Sequence, residues 1–348
     1  MEEKLKNIVI LRTDRIGEVL LSTVAVDAVR ERYPEARITF VTSGYSRDIV
    51  EGRPGIEDII VCDTVRKGNV FIKAFKLFAL LRKGRFDAAV VLNPHKALHL
   101  ACYMAGIPER IGYDRKWGEL LTRKIKDERA KGEKHEVEYT ADLLRLLDPD
   151  IRVSAPRLAV DRQAEERVEK MLADKGMVLY RPLVVVHPGS SNPAKMWPAA
   201  RYAELIKKLK EEIYCDVGII GGEEERDLVR KIITEADEDV ADMTGALGLK
   251  ELAAFIKKAR LFIGNDAGPM HMAAALDVPV LAIFGRNIAG AGPVRWRPWG
   301  DGNVVIHENP GCSPCGDASC ANGYRCMDLV TVEKVFGAAK EMLRDGRE

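Results

Sequence analysis

The stretch that decides the fold is Gly264 to Gly285, GNDAGPMHMAAALDVPVLAIFG. Leu261 to Ile263 ends an apolar strand, and Asn265-Asp266-Ala267-Gly268-Pro269 is a turn that opens a helix. Met270 to Leu276 favours that helix, Asp277-Val278-Pro279 stops it, and Val280 to Ile283 is a β-branched strand. Strand, turn, helix, strand is a βαβ unit of a parallel sheet. A helix N-terminus leaving the strand ends offers unpaired N–H groups and partial positive charge, a site for phosphate. Gly268 admits close approach of an anion, and Pro269 suits the first helical turn. An ordinary crossover would gain nothing from the polar Asp266 and His271 in this apolar setting.

Outward from this unit the alternation continues in both directions. In the first half, strands at Asn7–Leu11, Arg37–Val41, Asp58–Val61 and Ala88–Leu92 alternate with helices at Glu18–Arg32, Ser46–Glu51, Asn69–Lys83 and Lys96–Ala105. Arg110 to Lys134 carries nine Lys or Arg against five Asp or Glu, and it reads as an exposed basic loop. A helix near Glu136–Leu147 and a linker over about 148–156 follow. The second half repeats the logic with strands Leu183–His187 and Val217–Ile220, helices Arg162–Lys175, Ala199–Lys210, Glu223–Thr234 and Leu249–Lys258, and a last helix Thr331–Leu343. The expected fold is α/β, two doubly wound domains facing a cleft. Residues 1–155 form the first and 156–328 the second, and a C-terminal helix within 329–348 packs back towards the first.

Composition bounds the function. The chain has 348 residues, enough for two cores, and a net charge of +1, which gives no reason to expect nucleic-acid binding. No signal peptide or membrane span is read in it, so a cytoplasmic protein is expected, peripheral to a membrane. Charged residues are plentiful and Gln163 is the sole glutamine, a bias of heat-adapted chains. The Gly-x-Ser-x-Gly, P-loop and His-Glu-x-x-His motifs are absent, which removes the common hydrolase, nucleoside-triphosphatase and metalloprotease readings.

Four segments can carry chemistry. Arg12-Thr13-Asp14-Arg15-Ile16-Gly17-Glu18 follows the first strand, and Glu18 in the first helical turn is held ionised by the helix dipole and Arg15. Such a carboxylate can take the proton of an attacking hydroxyl, although a plain helix-start acid is the bland alternative. His187-Pro188-Gly189-Ser190-Ser191-Asn192-Pro193-Ala194-Lys195 offers donors at Gly189 and Ser190, and in Lys195 a point charge for a diphosphate. Gly221-Gly222-Glu223-Glu224-Glu225 can bring a carboxylate to ribose hydroxyls, although a plain acidic first helical turn is the bland alternative, and Met243 can line a base pocket. Cys312, Cys315, Cys320 and Cys326 suit a structural zinc or iron–sulfur site, or remain free thiols. The other cysteines read as core, and His95, His99, His135 and His307 as structural or surface.

In order and spacing, RTDRIGEVLLST, HPGSSNPAKMWP and GNDAGPMHMAAALDVPVLAIFG resemble glycosyltransferase family nine, the ADP-heptose:lipopolysaccharide heptosyltransferases, along nearly the whole chain. The resemblance implies a GT-B fold of two Rossmann-like domains and inverting transfer from an ADP-sugar, with no cofactor required for catalysis. It implies Glu18 as the catalytic base, where the family usually has aspartate. It implies donor contacts from Gly189, Ser190, Lys195, Gly222, Glu223, Met243, Asp266, Ala267, Gly268 and His271, and acceptor contacts from Arg12 and Arg15. Ala267 replaces a frequent threonine. The implied partners are ADP-heptose, an anionic lipopolysaccharide core and the inner membrane surface, with Arg110, Arg115, Lys116, Arg123 and Lys124 attracting the last two. Another GT-B enzyme, such as a UDP-sugar epimerase, and a non-catalytic nucleotide-sugar binder stay open as alternatives.

Overall fold

The computed structural model describes residues 5–63, 68–177, 180–312, 315, 320 and 322–345. They form two compact units divided between Arg157 and Leu158. The strands of the first are β1 (Asn7–Leu11), β2 (Arg37–Thr42), β3 (Asp58–Val61), β4 (Ala88–Val91), β5 (Glu109–Tyr113) and β6 (Arg123–Ile125). Those of the second are β7 (Leu183–His187), β8 (Asp216–Ile219), β9 (Ala241–Asp242), β10 (Ala259–Asn265), β11 (Val280–Phe284) and β12 (Val304–His307).

Among the described residues every strand pairing is parallel, in the orders β3-β2-β1-β4-β5-β6 and β12-β11-β10-β7-β8-β9. The two sheets therefore share one topology. Each reverses its winding beside its first strand, between β1 and β4 and between β7 and β10, which opens a crevice at the carboxyl ends of those strands. The central strands read as unbroken apolar runs, Ile8–Leu11 and Val184–Val186, and all their side chains are buried. That is the signature of a sheet covered on both faces.

Three differences from expectation have physical causes. The first long helix divides into Ile16–Ser22 and Val24–Arg32. At the break Ser22 Oγ donates to Glu18 O and Thr23 Oγ1 to Leu20 O, competing with the helical ladder. The basic stretch is not a loop, since it contains β5 and β6 and its charges are used locally. Lys124 pairs with Asp114, Arg123 with Glu109 and Arg115 with Asp127, while Arg110 donates to the carbonyls of Leu120 and Ile107. The C-terminal helix, Val332–Asp345, belongs to the second unit's own core, where Val332, Val335, Phe336, Ala339 and Leu343 are buried. Its start agrees with expectation, because Thr331 Oγ1 accepts from the Lys334 N–H.

Candidate active site

In the first unit the chain leaves β1 into Arg12-Thr13-Asp14, while Asn93 follows β4 across the winding reversal. Asn93 Nδ2 donates to Asp14 Oδ1 at 2.6 Å and to Thr13 Oγ1 at 3.3 Å, tying the two strand ends together. Arg12 is only 2% exposed. Its guanidinium donates to Glu136 Oε1 at 3.0 Å and to Leu92 O at 3.2 Å, and its Nε lies 3.1 Å from Asp14 Oδ2. Arg12 is thus committed to the protein and shapes the turn from beneath. Arg15, the other expected acceptor contact, is exposed.

Glu18 is half-buried in the helix that this turn opens. Burial pushes its carboxyl above the usual glutamate range, and the charge of Arg12 opposes that only in part. The expected direction, towards a lowered value, is reversed because desolvation outweighs nearby positive charge.

In the second unit three loops leave the carboxyl ends of β7, β8 and β10. Asn265, fully buried at the end of β10, accepts at Oδ1 from Trp197 N at 3.2 Å and from Tyr202 OH at 3.0 Å. Its Nδ2 donates to Pro188 O at 2.7 Å. One side chain therefore holds the Pro188–Gly189 turn, the start of the following helix and the end of β10 in register. The loops meet again at their ionic ends, where Lys195 Nζ lies 2.6 Å from Asp266 Oδ2 and Asp266 is almost wholly buried. Next to this pair the helix Gly268–Ala275 begins, with Pro269 in its first turn and no side chain capping its N-terminus. His271 is buried within it, its ring 6.3 Å edge-on from Trp296.

The β7 and β8 loops are joined by Glu225. Its Oε2 accepts from Gly222 N at 2.8 Å and lies 3.5 Å from His187 Nε2. Burial pushes this carboxyl up, but the His187 and Gly222 interactions outweigh it and hold the group below its usual range. A Cβ on Gly189 would stand 1.5 Å from Glu225 Oε1, so any larger residue there has to displace that carboxylate. The acid turned into the loops is thus Glu225. Glu223 is exposed and paired with Arg226 at 2.5 Å. Met243, expected to line a base pocket, is fully buried. Ser190, Ala267 and Gly268 remain partly exposed, the last two directly following Asp266 in the chain.

The family model described as glycosyltransferase family 9 (heptosyltransferase) matches residues 74–325, well over half of the chain. The chain belongs to glycosyltransferase family 9. It is accordingly a glycosyltransferase. It is 24% identical to a putative glycosyltransferase of Haemophilus influenzae, over 98% of both chains. It is 26% identical to lipopolysaccharide heptosyltransferase 2 of Salmonella typhimurium, over 80% of this chain and 82% of that one. The crystal structure of a family 9 glycosyltransferase from Veillonella parvula shares the fold, with a TM-score of 0.85 at 22% identity over 99% of both chains.

Among the described residues of this family 9 member, nothing gathers Cys312, Cys315, Cys320 and Cys326 into a metal-binding group. None of the four is in a disulfide, and among the described residues no three His, Cys, Asp or Glu side chains form a metal-binding group. Cys326 faces the apolar core, and Cys320 Sγ accepts from Tyr324 N at 3.2 Å. Residues 313, 314, 316–319 and 321, between those thiols, lie outside the described residues. Cys102 and Cys215 are core thiols, which burial pushes up to about 12 and about 11. His95 and His135 cap helices, and His99 and His307 bond backbone carbonyls.

Sequence reasoning gave no role to Asn93, Asn265 and Arg286, and it named Glu225 only as one of the three acids after Gly222. Asn265 carried a signal, since a lone amide ending a strand of apolar residues has to find partners. Arg286 follows β11, is buried, and holds a left-handed φ of +65°. Its carbonyl accepts from His307 Nε2 at 3.1 Å, and the preceding Gly285 packs against Ala194 of the Lys195 loop, where a Cβ would meet Ala194 O at 2.5 Å. A side chain in αL at a strand's carboxyl end is a costly backbone kept at a site.

Proposed function

We propose that this protein is an inverting glycosyltransferase that moves heptose from ADP-heptose to an anionic lipopolysaccharide core, working against the cytoplasmic face of a membrane. The observation that carries this reading is the Lys195–Asp266 pair at the start of the helix Gly268–Ala275. The lysine, the Gly268 N–H and the helix dipole supply fixed positive potential where a diphosphate leaves. Asp266 orients the lysine and balances its charge while the donor is absent. Gly189 and Ser190 border the same place, and Glu225 with His187 keeps the Gly222 turn open beside it.

In the transfer step the acceptor oxygen bonds to the anomeric carbon from the face opposite the diphosphate. The bond from that carbon to the phosphate oxygen breaks, and the electron pair leaves with ADP. Glu18 takes the hydroxyl proton. A carboxyl raised by burial is better matched to that task near neutral pH than an ordinary glutamate. Arg15 faces the acceptor's negative charge.

Calorimetry with ADP, UDP and ADP-heptose tests the reading. ADP and ADP-heptose are expected to bind, and Lys195→Ala to weaken both by about ten- to a hundredfold, the loss of a charged hydrogen bond. Preference for UDP moves the reading to another GT-B enzyme, and donor binding without turnover makes the protein a nucleotide-sugar binder.

A further inference from the structure

The helix Val70–Gly84 presents the most apolar exposed surface of the first unit. Asn69 starts it, its side chain accepting from the N–H groups of Phe71 and Ile72, and Arg85 ends it with a left-handed φ of +46°. Ala74, Leu77 and Leu81, spaced three and four apart, are buried against the sheet. That stripe accounts for one side only. Phe71 is 64% exposed, Ile72 58% and Phe75 61%, all on the outward side of the first two turns, and Leu80 follows them.

Solvated aromatic side chains in such number require a partner. The surface extends onto Trp117, whose ring lies 5.9 Å from that of Phe71 and has Lys96 Nζ 5.1 Å from its centre. Lys116 and Trp117 both adopt left-handed backbone, with φ of 50° and 69°.

Charge says what the partner is. From Gly68 to Phe86 the sequence holds Lys73, Lys76, Arg82, Lys83 and Arg85 and no acid, although the whole chain has a net charge of only +1. Lys76, Lys83 and Arg85 make no ion pair among the described residues. The basic stretch further on differs, since several of its charges are paired locally. An exposed aromatic face edged by unpaired cations is the pattern of a helix lying in a bilayer interface, its rings among the acyl chains and its lysines at the headgroups.

We propose that the outward face of the helix Val70–Gly84, with Trp117 beside it, docks this protein on an anionic lipid surface through Phe71, Ile72 and Phe75. This deepens the reading of a membrane-borne acceptor, and it rests on that reading only for its purpose. The lipid contact itself is tested without donor or acceptor, so it can fail while donor binding by calorimetry succeeds, and the reverse.

The experiment is co-sedimentation of the full chain with phosphatidylcholine vesicles, with and without phosphatidylglycerol. Binding is expected to need phosphatidylglycerol and to weaken at high salt. Phe71→Ser and Phe75→Ser should each lower partition about tenfold, the loss of one partly buried ring. Lys76→Glu with Lys83→Glu should lower it by a similar factor without touching the apolar face. All four side chains lie outside the core, and unchanged melting curves confirm that the variants are folded. Equal partition of wild type and variants, or equal binding to neutral vesicles, overturns the proposal. So does a dimer in light scattering that Phe71→Ser with Phe75→Ser dissolves while no vesicle is bound, because the face then meets a second copy.

Discussion

Glu18 stands in the turn after β1, where burial and the charge of Arg12 oppose each other and burial prevails. The folded state therefore holds the carboxyl proton more tightly than the unfolded chain does. Its contribution to stability is full below the ordinary glutamate value and falls as pH rises through the raised one. As a base Glu18 works only when ionised, so the acid limb of the transfer rate should lie above the usual carboxylate range. Glu18→Gln is expected to lower the rate by about a hundred- to ten-thousandfold. It should leave donor affinity unchanged and stability at neutral pH no lower. Steady-state rates across pH, with melting curves for both proteins, check this, and a glutamine variant that still transfers would remove Glu18 as the base. That Glu18 opens the first helix was legible in the sequence. Its environment was not, because Arg12, six positions earlier, turns inward to Glu136, which lies far along the chain.

At the scale of elements, the helix Gly268–Ala275 is defined by its ends. At its close the Val278 N–H reaches Ala273 O and the Asp277 N–H reaches Ala274 O, with Asp277 at a φ of +58°. This is a Schellman stop with aspartate in the position that glycine usually takes. Asp277 is exposed and the αL conformation costs it about 1 kcal/mol, so Asp277→Gly should stabilise the protein by roughly half that, the freer unfolded chain offsetting the remainder. Urea unfolding checks it, and a destabilised variant would mean that the aspartate makes a contact worth more than the backbone strain. The stop itself was read from Asp277-Val278-Pro279. Strand β5 and the edge strand β6 were not, because Arg and Lys on short strands look like solvated loop, and on the edge strand β6 they serve to discourage further pairing.

For the whole molecule, charge organisation bears on heat. Arg129 lies between Asp127 at 2.8 Å and Glu136 at 3.6 Å, Glu136 also holds Arg12, and Arg115 reaches Asp127 at 3.3 Å. Connected ion pairs of this kind gain in relative worth as temperature rises, because hydrating free charges becomes less favourable. With a single glutamine in the chain, the expected melting midpoint lies above about 65 °C, beyond the common mesophile range. Calorimetry giving a midpoint inside that range would overturn heat adaptation. Acid acts on the same network. Burial pushes the Asp127 carboxyl up, yet Arg129 and Arg115 outweigh it and lower the group to about 2. Its stabilising contribution is present above the ordinary aspartate value and is lost as pH falls towards 2.

The sequence by itself determined the α/β class, the repeated strand–helix alternation, the loops that carry Glu18, Lys195 and Asp266, and the family. Those are local matters, since apolar runs, stop signals and motif order are written in consecutive residues. Only the tertiary structure decided which polar groups meet. Asn265 clamps Pro188 and Trp197, Glu225 joins the Gly222 turn to His187, and Arg12 is consumed by Glu136, each across a sheet or between loops from neighbouring strands. The same holds for the helix Val70–Gly84, which the sequence placed at Asn69–Lys83 without deciding which of its apolar residues are buried. A helix packed on one face of a sheet has only one stripe to bury, and which rings remain in solvent is settled by the orientation in which that stripe docks.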